Sequence, residues 1–412
     1  MRVLYECFSC SPYYGSDEGI GWMWPYHMRK HHEVWVLVRN DRRNDIEKYC
    51  TENNINDIHF IYCDIPSWMN FYYKNLEKGK NGIIDFLLYQ YLWQFCALKA
   101  AKKAEKQFDF DVVHHAATND FRLLGRLYKL NKPFIIGPIG GAQETHEAFF
   151  DYVKNHNKSE KLRGLLNRIL TSLPSYRKAL EKAGKIFFSN CETYEYLKPK
   201  IDDLKKCDYL TEIGCSEMGH RINKTRTNSK FKFMWAGRME YRKGLEFLFD
   251  VLELLPKDNS WELLLCGDGT EKTFYENISK EKHLEEYVSF LGKLPYEEVM
   301  SLYKKSDVFV FPSLRETTGT VIVEAMANCV PVIAINQGGA KFVVTDDTGF
   351  LISGTSKEEY VQKFAEAMID CIENPDKVAE MGTKAYSRIE KLYTWEKKIE
   401  DILPVYDKII AD

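Results

Sequence analysis

Two glutamates on either side of a short polar loop carry the strongest chemical signal in this sequence. Glu316 and Glu324 are separated by seven residues, and Glu324 lies in a helix expected to begin near Thr320. The backbone N–H groups of Thr318, Gly319 and Thr320 would lack partners at that helix start, where the helix dipole also favours an anion. Gly319 lets a phosphate approach closely. Because a nearby carboxylate suits ribose hydroxyls, this segment predicts a nucleotide site.

A pair of cations indicates the same chemistry about eighty residues earlier in the chain. Arg238 and Lys243 lie in one loop, directly after a predicted strand that ends at Gly237. Cations at the carboxyl edge of a sheet can neutralise a diphosphate leaving group. The two segments together therefore predict a site for a nucleotide carrying phosphate.

The elements that would position these residues are short apolar runs alternating with helical patterns. Nearly all the runs are continuous, which is typical of parallel strands covered by helices on both faces. Helical patterns such as 244–255 and 296–305 supply the crossovers. The predicted strands are 3–8, 33–39, 58–63, 111–115, 133–137, 185–189, 232–237, 262–267, 288–292, 308–312, 331–335 and 349–352.

The length of 412 residues favours two domains, because single cores stop growing at roughly 250–300 residues. The predicted fold class is α/β, with two Rossmann-like doubly wound domains facing a cleft in which ligands bind. The first domain is predicted to span 1–218 and the second 231–394, with a polar linker at 219–230. The last helix, about 395–412, is expected to pack back on the first domain.

Composition excludes some classes of protein. With 57 Lys and Arg against 60 Asp and Glu, the formal net charge is −3, which argues against a general nucleic-acid binder. Eleven cysteines without framework spacing are typical of reduced thiols. Neither a signal peptide nor an apolar stretch of 18 residues is recognised. These features predict a cytoplasmic protein.

The second half resembles the retaining glycosyltransferases of family 4, also called glycosyl transferases group 1, which have the GT-B fold. Their G-R-x-x-x-x-K-G matches Gly237 to Gly244, and their E-x7-E, continued by E-A-M-A and P-V-I-A, matches 316–334. Their G-x-G after the second strand matches 267–269. Their late G-G and D-x-x-G-x-L match 338–339 and 346–351. The resemblance covers nearly the whole second half.

This resemblance implies a hexosyl- or related glycosyltransferase that needs no metal or other cofactor. The sugar would move, with retention of configuration, from a UDP- or GDP-linked donor bound by the second domain. The acceptor, on the side of the first domain, would be a glycan or a lipid-linked sugar in surface polysaccharide or glycolipid assembly. Glu316, Arg238 and Lys243 would be catalytic. The remaining sugar-donor contacts would come from Gly15, Gly237, Gly267, Thr318, Gly319, Thr320 and Glu324.

The first half matches the family more loosely. Gly15 lies in a loop that resembles the family's Gly-containing loop, and 111–114 resembles its D-V-V-H. Many members have a strand ending in His-Asp where this chain has 137–141, a Gly-rich turn, so no catalytic residue is assigned there. His114 and His115 end a buried strand, and a core role is favoured for them. Asp109 and Asp111 form a D-x-D before a strand, which is the wrong edge for a metal site in the cleft.

Two other functions remain open from the sequence. A nucleotide-sugar epimerase of the same architecture would bind the same ligand, and an inactive nucleotide-binding protein would keep the fold without the chemistry. A dinucleotide oxidoreductase is disfavoured, because no G-x-G-x-x-G follows the first strand.

The segment 151–185 predicts a basic amphipathic helix. It holds nine Lys or Arg residues against three acids, with leucines and isoleucines spaced along one helical face. Such a helix can lie in a membrane interface on the cytosolic face. The alternative is that its apolar face packs on the sheet of the first domain.

Overall fold

The computed structural model describes residues 1–65, 82–116, 120–219 and 230–411. The chain forms two compact units. Unit 1 comprises Met1–Ala142, Leu162–Glu212 and Trp395–Asp412, and unit 2 comprises Gln143–Lys161 and Ile213–Thr394. The linker is predicted at 219–230. Apart from its two end positions, it lies outside the described residues.

Unit 1 contains a seven-stranded sheet in which all strand pairs are parallel. Its order is β3-β2-β1-β4-β5-β6-β7, so the strand order reverses between β1 and β4. The central strands β1, β4 and β5 are buried along nearly their whole length, as their continuous apolar runs require. The strands are β1 Arg2–Glu6, β2 Glu33–Arg39, β3 Ile58–Cys63, β4 Val112–His115, β5 Phe134–Ile139, β6 Lys185–Phe188 and β7 Cys207–Tyr209.

Unit 2 contains a six-stranded parallel sheet of the same kind. Its order is β10-β9-β8-β11-β12-β13. The core around it is rich in aromatic side chains, including Trp235, Phe247 and Trp261. The strands are β8 Phe231–Ala236, β9 Trp261–Cys266, β10 Val288–Gly292, β11 Val308–Phe311, β12 Val332–Ile335 and β13 Gly349–Ile352.

Helices follow most strands of both sheets, and three of them come after β13. In the first part of the chain they are Ser16–Met28, Arg43–Glu52, Gly82–Phe108, Phe150–Val153, Asn157–Thr171, Pro174–Lys182 and Cys191–Leu197. In the second part they are Leu245–Leu252, Lys272–Glu281, Tyr296–Lys305, Thr320–Ala327, Ala340–Val343, Lys357–Glu373, Pro375–Leu392 and Trp395–Ala411. Two doubly wound α/β units confirm the predicted fold class. In the described part of the chain, no helix is both long and apolar enough to cross a membrane.

The predicted domain boundaries need a correction. The first domain is predicted to hold every residue before 219, but Gln143–Lys161 belongs to unit 2. Phe149, Tyr152 and Val153 are buried in the core of unit 2, and the Tyr152 hydroxyl donates to Asp250 at 2.6 Å. A single boundary fails because this stretch joins the second core, although it lies between β5 and β6 in sequence.

The last helix packs within unit 1 through a buried polar chain. His114 Nε2 donates to the carbonyl oxygen of Gly137 at 2.6 Å, so its Nδ1 accepts from the Tyr406 hydroxyl at 2.5 Å. Tyr406 in turn lies 2.8 Å from the hydroxyl of Tyr5. Burial lowers the pKa of His114 to about 3. His114 is therefore a neutral core residue, as expected.

The helix Asn157–Thr171 buries a polar face rather than an apolar one. Its buried residues are Arg163, Asn167 and Thr171, and Asn167 accepts a hydrogen bond from Arg122 Nε at 2.7 Å. Two of its apolar residues, Leu165 and Ile169, are 53% and 51% exposed. The alternative in which the whole apolar face packs on the sheet of unit 1 is therefore wrong for these two side chains.

Candidate functional site

The carboxyl ends of β8 and β9 approach closely, and glycine makes this approach sterically feasible. The Gly237 N–H donates to the carbonyl oxygen of Cys266 at 3.0 Å. Gly267 has a φ of +148°, and a side chain there would collide with the carbonyl oxygen of Gly237. The loop that follows β8 therefore begins against the end of β9, at the edge where parallel α/β sheets bind ligands.

That loop contributes most of a cation–carboxylate cluster formed by Arg238, Glu240, Arg242, Lys243 and Glu316. Lys243 Nζ pairs with Glu316 Oε2, and Arg242 Nη1 lies 3.5 Å from the same oxygen. Glu240 accepts from Arg242 Nε at 2.9 Å and pairs with Arg238 Nη1 at 3.0 Å. The side chain of Arg238 is 70% exposed, whereas the other four are mostly buried. The cluster thus presents one cation to solvent.

The charges in this cluster keep Glu316 ionised. Burial alone would raise the pKa of Glu316, but Lys243 and Arg242 hold it below its ordinary value. A carboxylate in this state accepts hydrogen bonds and donates none. Glu316 is therefore suited to binding hydroxyl groups.

The helix Thr320–Ala327 begins directly after the Glu316 loop. Gly319 precedes it with a φ of +89°, and a side chain at Gly319 would place its first carbon 2.7 Å from the ring of Phe311. Because the N-cap residue of this helix is a glycine, no N-cap side chain accepts from its first N–H groups. The positive end of the helix dipole and the adjacent cations favour a bound anion here.

Glu324 lies in the first turns of this helix, in a different electrostatic setting from Glu316. Burial raises its pKa to about 7, and a hydrogen bond from the Tyr303 hydroxyl to Oε2 at 3.2 Å offsets part of that rise. Tyr303 is not among the predicted site residues, because its helix has only an ordinary helical pattern in the sequence. Glu324 therefore changes its protonation state close to neutral pH.

Two further residues that contact the site were missed, and both come from the segment placed in the wrong domain. Gln143 Nε2 donates to the carbonyl oxygen of Glu316 at 2.7 Å. Glu160 accepts from the Tyr241 hydroxyl at 2.7 Å and from Arg315 Nη1 at 2.9 Å. No local pattern could have found them, since 173 and 155 residues separate the partners in sequence.

The late Gly-Gly pair of the sequence also contacts the Glu316 loop. The Gly339 N–H donates to the carbonyl oxygen of Thr317 at 2.5 Å. Gln337 Nε2 donates to the carbonyl oxygen of Ser313 at 2.5 Å. The segment after β12 therefore supports the loop that carries Glu316.

The sequence of this unit matches a known family. Residues 220–388 match the family model described as "Glycosyl transferases group 1". We refer to residues 220–388 as the group 1 segment. The group 1 segment contains nine of the ten predicted site residues, Arg238, Lys243, Glu316, Gly237, Gly267, Thr318, Gly319, Thr320 and Glu324, all in unit 2.

Curated relatives of the group 1 segment extend the match beyond it. The chain is 26% identical over 259 residues to a GDP-mannose-dependent monoacylated alpha-(1-6)-phosphatidylinositol monomannoside mannosyltransferase of Corynebacterium glutamicum, covering 61% of this chain and 65% of that protein. It is 26% identical over 212 residues to a D-inositol 3-phosphate glycosyltransferase of Corynebacterium kroppenstedtii, covering 49% and 45%. The chain thus aligns with about half to two thirds of the length of these relatives.

A solved structure resembles the whole chain. HepE from Anabaena, crystallised in complex with UDP, has a TM-score of 0.64 and 18% sequence identity, with 99% of this chain and 100% of that chain covered. At this identity the likeness is one of fold, and it agrees with the two doubly wound units described above.

The tenth predicted site residue, Gly15, and the D-x-D of Asp109 and Asp111 lie in unit 1. Gly15 precedes the helix Ser16–Met28 in an extended conformation, with φ −82° and ψ −167°. Asp109 pairs with Lys132, and Asp111 accepts from the backbone N–H of Arg2 at 2.7 Å, at the amino end of β4. Both carboxylates of the D-x-D therefore serve structural contacts.

Proposed function

We propose that this protein is a retaining glycosyltransferase that moves a sugar from a UDP- or GDP-linked donor to a glycan or lipid-linked acceptor. The observation that carries the proposal is the cation–carboxylate cluster beside a helix start whose N-cap residue is a glycine. Arg238 is exposed and Lys243 lies beside Glu316, so phosphate and sugar groups would find complementary partners within one site.

In this proposal, different residues of unit 2 bind different parts of the nucleotide sugar. Arg238, Lys243 and the start of helix Thr320–Ala327 stabilise the charge that develops on the departing diphosphate. Glu316 accepts hydrogen bonds from hydroxyl groups of the transferred sugar, and Glu324 accepts hydrogen bonds from those of the ribose. An oxygen of the departing phosphate takes the proton of the acceptor hydroxyl on the same face of the sugar. These groups supply the charge stabilisation, so we propose that no metal is needed.

The named relatives support a nucleotide-sugar donor but differ in its base. HepE is known in complex with UDP, whereas the Corynebacterium glutamicum relative is GDP-mannose-dependent. The relative's acceptor is a phosphatidylinositol mannoside by name, which supports a lipid-linked acceptor and a role in glycolipid or surface polysaccharide assembly.

A ligand screen tests the proposal. UDP, GDP and ADP, and sugars linked to them, are titrated by calorimetry and by thermal shift, since a ligand that binds the folded state raises Tm. We expect one nucleotide to bind and its sugar to be transferred in the presence of EDTA. Activity that is lost on chelation and restored by magnesium or manganese would contradict metal independence. Conversion of the donor to an isomer without an acceptor would favour an epimerase.

We further propose that the helices Asn157–Thr171 and Pro174–Lys182 contact an anionic membrane surface. Leu165 and Ile169 are exposed, and the same two helices carry exposed basic residues. These residues are Lys158, Lys161, Arg168, Arg177, Lys178 and Lys182. Each basic residue near an anionic surface contributes about 1 kcal/mol. This arrangement favours a peripheral enzyme on the cytosolic face of a membrane.

Vesicle sedimentation tests the membrane contact. We expect binding to vesicles rich in anionic lipid, and release at high salt because the attraction is screened. The double variant Leu165→Ser, Ile169→Ser should bind more weakly. Leu392→Ser, which changes a leucine of similar exposure in unit 2, is the matched control. If the double variant and the control variant bind the vesicles equally well, Leu165 and Ile169 do not contact the membrane.

A further inference from the structure

The segment Gln143–Lys161 is fixed to unit 2 at its middle by packing. Phe149 and Tyr152 are buried beside Phe247, and the Tyr152 hydroxyl donates to Asp250, which also pairs with Lys282 at 3.0 Å. Aromatic residues that are buried in this way anchor a segment strongly. The middle of the segment is therefore held firmly in unit 2, and its two ends extend from this anchored part.

Both ends of this segment contact loops that carry the proposed sugar-donor site. At one end, Gln143 donates to the backbone oxygen of Glu316 at 2.7 Å. At the other end, Glu160 accepts from Tyr241, in the loop after β8, and from Arg315, which directly precedes Glu316. One carboxylate thus joins the loop of the phosphate-binding cations to the loop of the sugar-binding carboxylate.

The contact at Tyr241 is reinforced by stacking. The ring of His156 lies over the ring of Tyr241 with centroids 3.8 Å apart and planes 7° from parallel. The Glu160 carboxylate and the guanidinium of Arg315 are both mostly buried, so their hydrogen bond is of the charge-assisted kind and is poorly screened by solvent. Two independent contacts therefore hold Tyr241, and through it the loop that ends at Lys243.

We infer that the segment Gln143–Lys161 braces the two loops of the sugar-donor site, and that Glu160 is its principal positioning residue. The inference rests on the proposed function, because it assigns a task to residues around that site. Glu160 would act through Tyr241 and Arg315, which it contacts, rather than on the nucleotide sugar directly. Its loss should let the two loops move apart and weaken nucleotide binding, since misplaced groups lose binding energy steeply.

The experiment compares Glu160→Gln with Glu359→Gln in the full-length protein. Glu359 is a matched control, because it also accepts from a hydroxyl, that of Thr355 at 2.8 Å, and from a cation, Lys363 at 2.6 Å, but in the first turns of the helix Lys357–Glu373. The Kd of the nucleoside diphosphate bound by the parent protein is measured by calorimetry, together with Tm and the KM and kcat of transfer.

We expect Glu160→Gln to raise the Kd and the donor KM by about three- to tenfold, and Glu359→Gln to change neither. A purely structural role would lower Tm and the active fraction without moving Kd. Tyr241→Phe removes one hydroxyl and should reproduce part of the effect. The double variant should then lose less than the sum of the two single changes, because both act through one contact.

The outcomes separate the inference from the proposed function. If the parent protein binds none of UDP, GDP and ADP, both are overturned. If the parent binds a nucleotide and Glu160→Gln and Tyr241→Phe bind it equally well, the brace is overturned and the proposed function stands. If Glu160→Gln does not fold, Tyr241→Phe decides alone.

Discussion

The carboxyl edges of the two sheets use ionisable side chains in opposite ways. At the edge in unit 1, Glu6 and His115 face each other as register partners of β1 and β4, with Glu6 Oε2 3.0 Å from His115 Nδ1. Both are at most 3% exposed. At the edge in unit 2, Arg238 of the cation–carboxylate cluster is exposed to solvent, and the helix start near Glu316 has a glycine as its N-cap residue.

The difference shows why residue type alone does not identify a functional site. In unit 1, the Glu6–His115 pair is closed to solvent, so its contact contributes to the stability of the fold. The charges in unit 2 pair through mostly buried side chains, but one cation of the cluster faces solvent, so a ligand can join the network there. We therefore expect changes in unit 1 to affect the free energy of unfolding, and changes in unit 2 to affect binding and turnover.

The largest effect is expected at Glu316. Glu316→Gln removes the carboxylate that accepts hydrogen bonds from the sugar hydroxyls in the proposed reaction. Turnover should fall by about 10²–10³-fold, which is the range for a lost transition-state contact. The Kd of the nucleotide should change little, because the sugar rather than the nucleotide meets this carboxylate. Steady-state kinetics and calorimetry measure the two quantities. A larger change in Kd than in kcat would exchange the proposed roles of the two glutamates.

The second effect tests the opposite side of the comparison. His114→Phe removes both hydrogen bonds of a buried ring and leaves the Tyr406 hydroxyl and the Gly137 carbonyl with one partner fewer. Leaving the Gly137 carbonyl unsatisfied costs about 1–3 kcal/mol, and the bond lost by Tyr406, which keeps Tyr5 as a partner, costs about 0.5–1.5 kcal/mol, so the free energy of unfolding should fall by about 2–4 kcal/mol. Nucleotide affinity, measured well below Tm, should stay the same. A variant with normal stability but impaired transfer would show that unit 1 also uses this histidine in function.

The third effect concerns the exposed cation. Arg238→Ala should weaken nucleoside diphosphate binding by about 1.5–3 kcal/mol, the value of a hydrogen bond to a charged group. Tm without ligand should be nearly unchanged, because an exposed ion pair contributes little to stability. Lys272→Ala changes another partly exposed cation of unit 2, paired with Glu276, and serves as the control. Equal affinity in both variants would remove Arg238 from the site.

Most of the fold could be predicted because strands buried on both faces have a distinct sequence pattern. All twelve predicted strands are present within about two residues. The missed strand, Cys207–Tyr209, has three residues at the end of the sheet and includes Asp208, so it has no apolar run. Predictions from periodicity fail where a strand is short and only half covered.

The candidate site was predicted less completely, for a different physical reason. Arg238, Lys243 and Glu316 lie in the loops that follow β8 and β11, and Glu324 lies in the helix after the second loop, so the predicted strand ends locate all four. The partners Arg242, Tyr303 and Glu160 act through contacts between segments distant in the chain, and residue type and spacing say nothing about such contacts. The placement of Gln143–Lys161 in unit 2 is the clearest case. A periodic pattern predicts a helix, but it does not predict into which of the two cores the helix packs.

The smallest effect sharpens the contrast between the two glutamates of unit 2 through pH. The pKa of Glu324 is raised from 4.5 to about 7 by burial, whereas that of Glu316 is lowered. The folded protein therefore binds more protons at Glu324 than the unfolded chain does between pH 4.5 and 7. The contribution of Glu324 to the free energy of unfolding is present below pH 4.5 and is lost as the pH rises towards 7.

Nucleotide affinity should show the opposite dependence on pH. An ionised carboxylate accepts from ribose hydroxyls, so binding favours the charged form of Glu324, and Kd should fall about tenfold between pH 6 and pH 8. Tyr303 and Tyr296, which face Glu324, have raised pKa values and stay neutral over this range. The terminal phosphate of the ligand also ionises near pH 6, but equally for parent and variant. The ratio of the Kd values of Glu324→Gln and the parent isolates the glutamate, and it should grow from pH 6 to pH 8. A ratio independent of pH would mean that Glu324 does not bind the ribose as a carboxylate, and the distinction between the two glutamates would then rest on Glu316 alone.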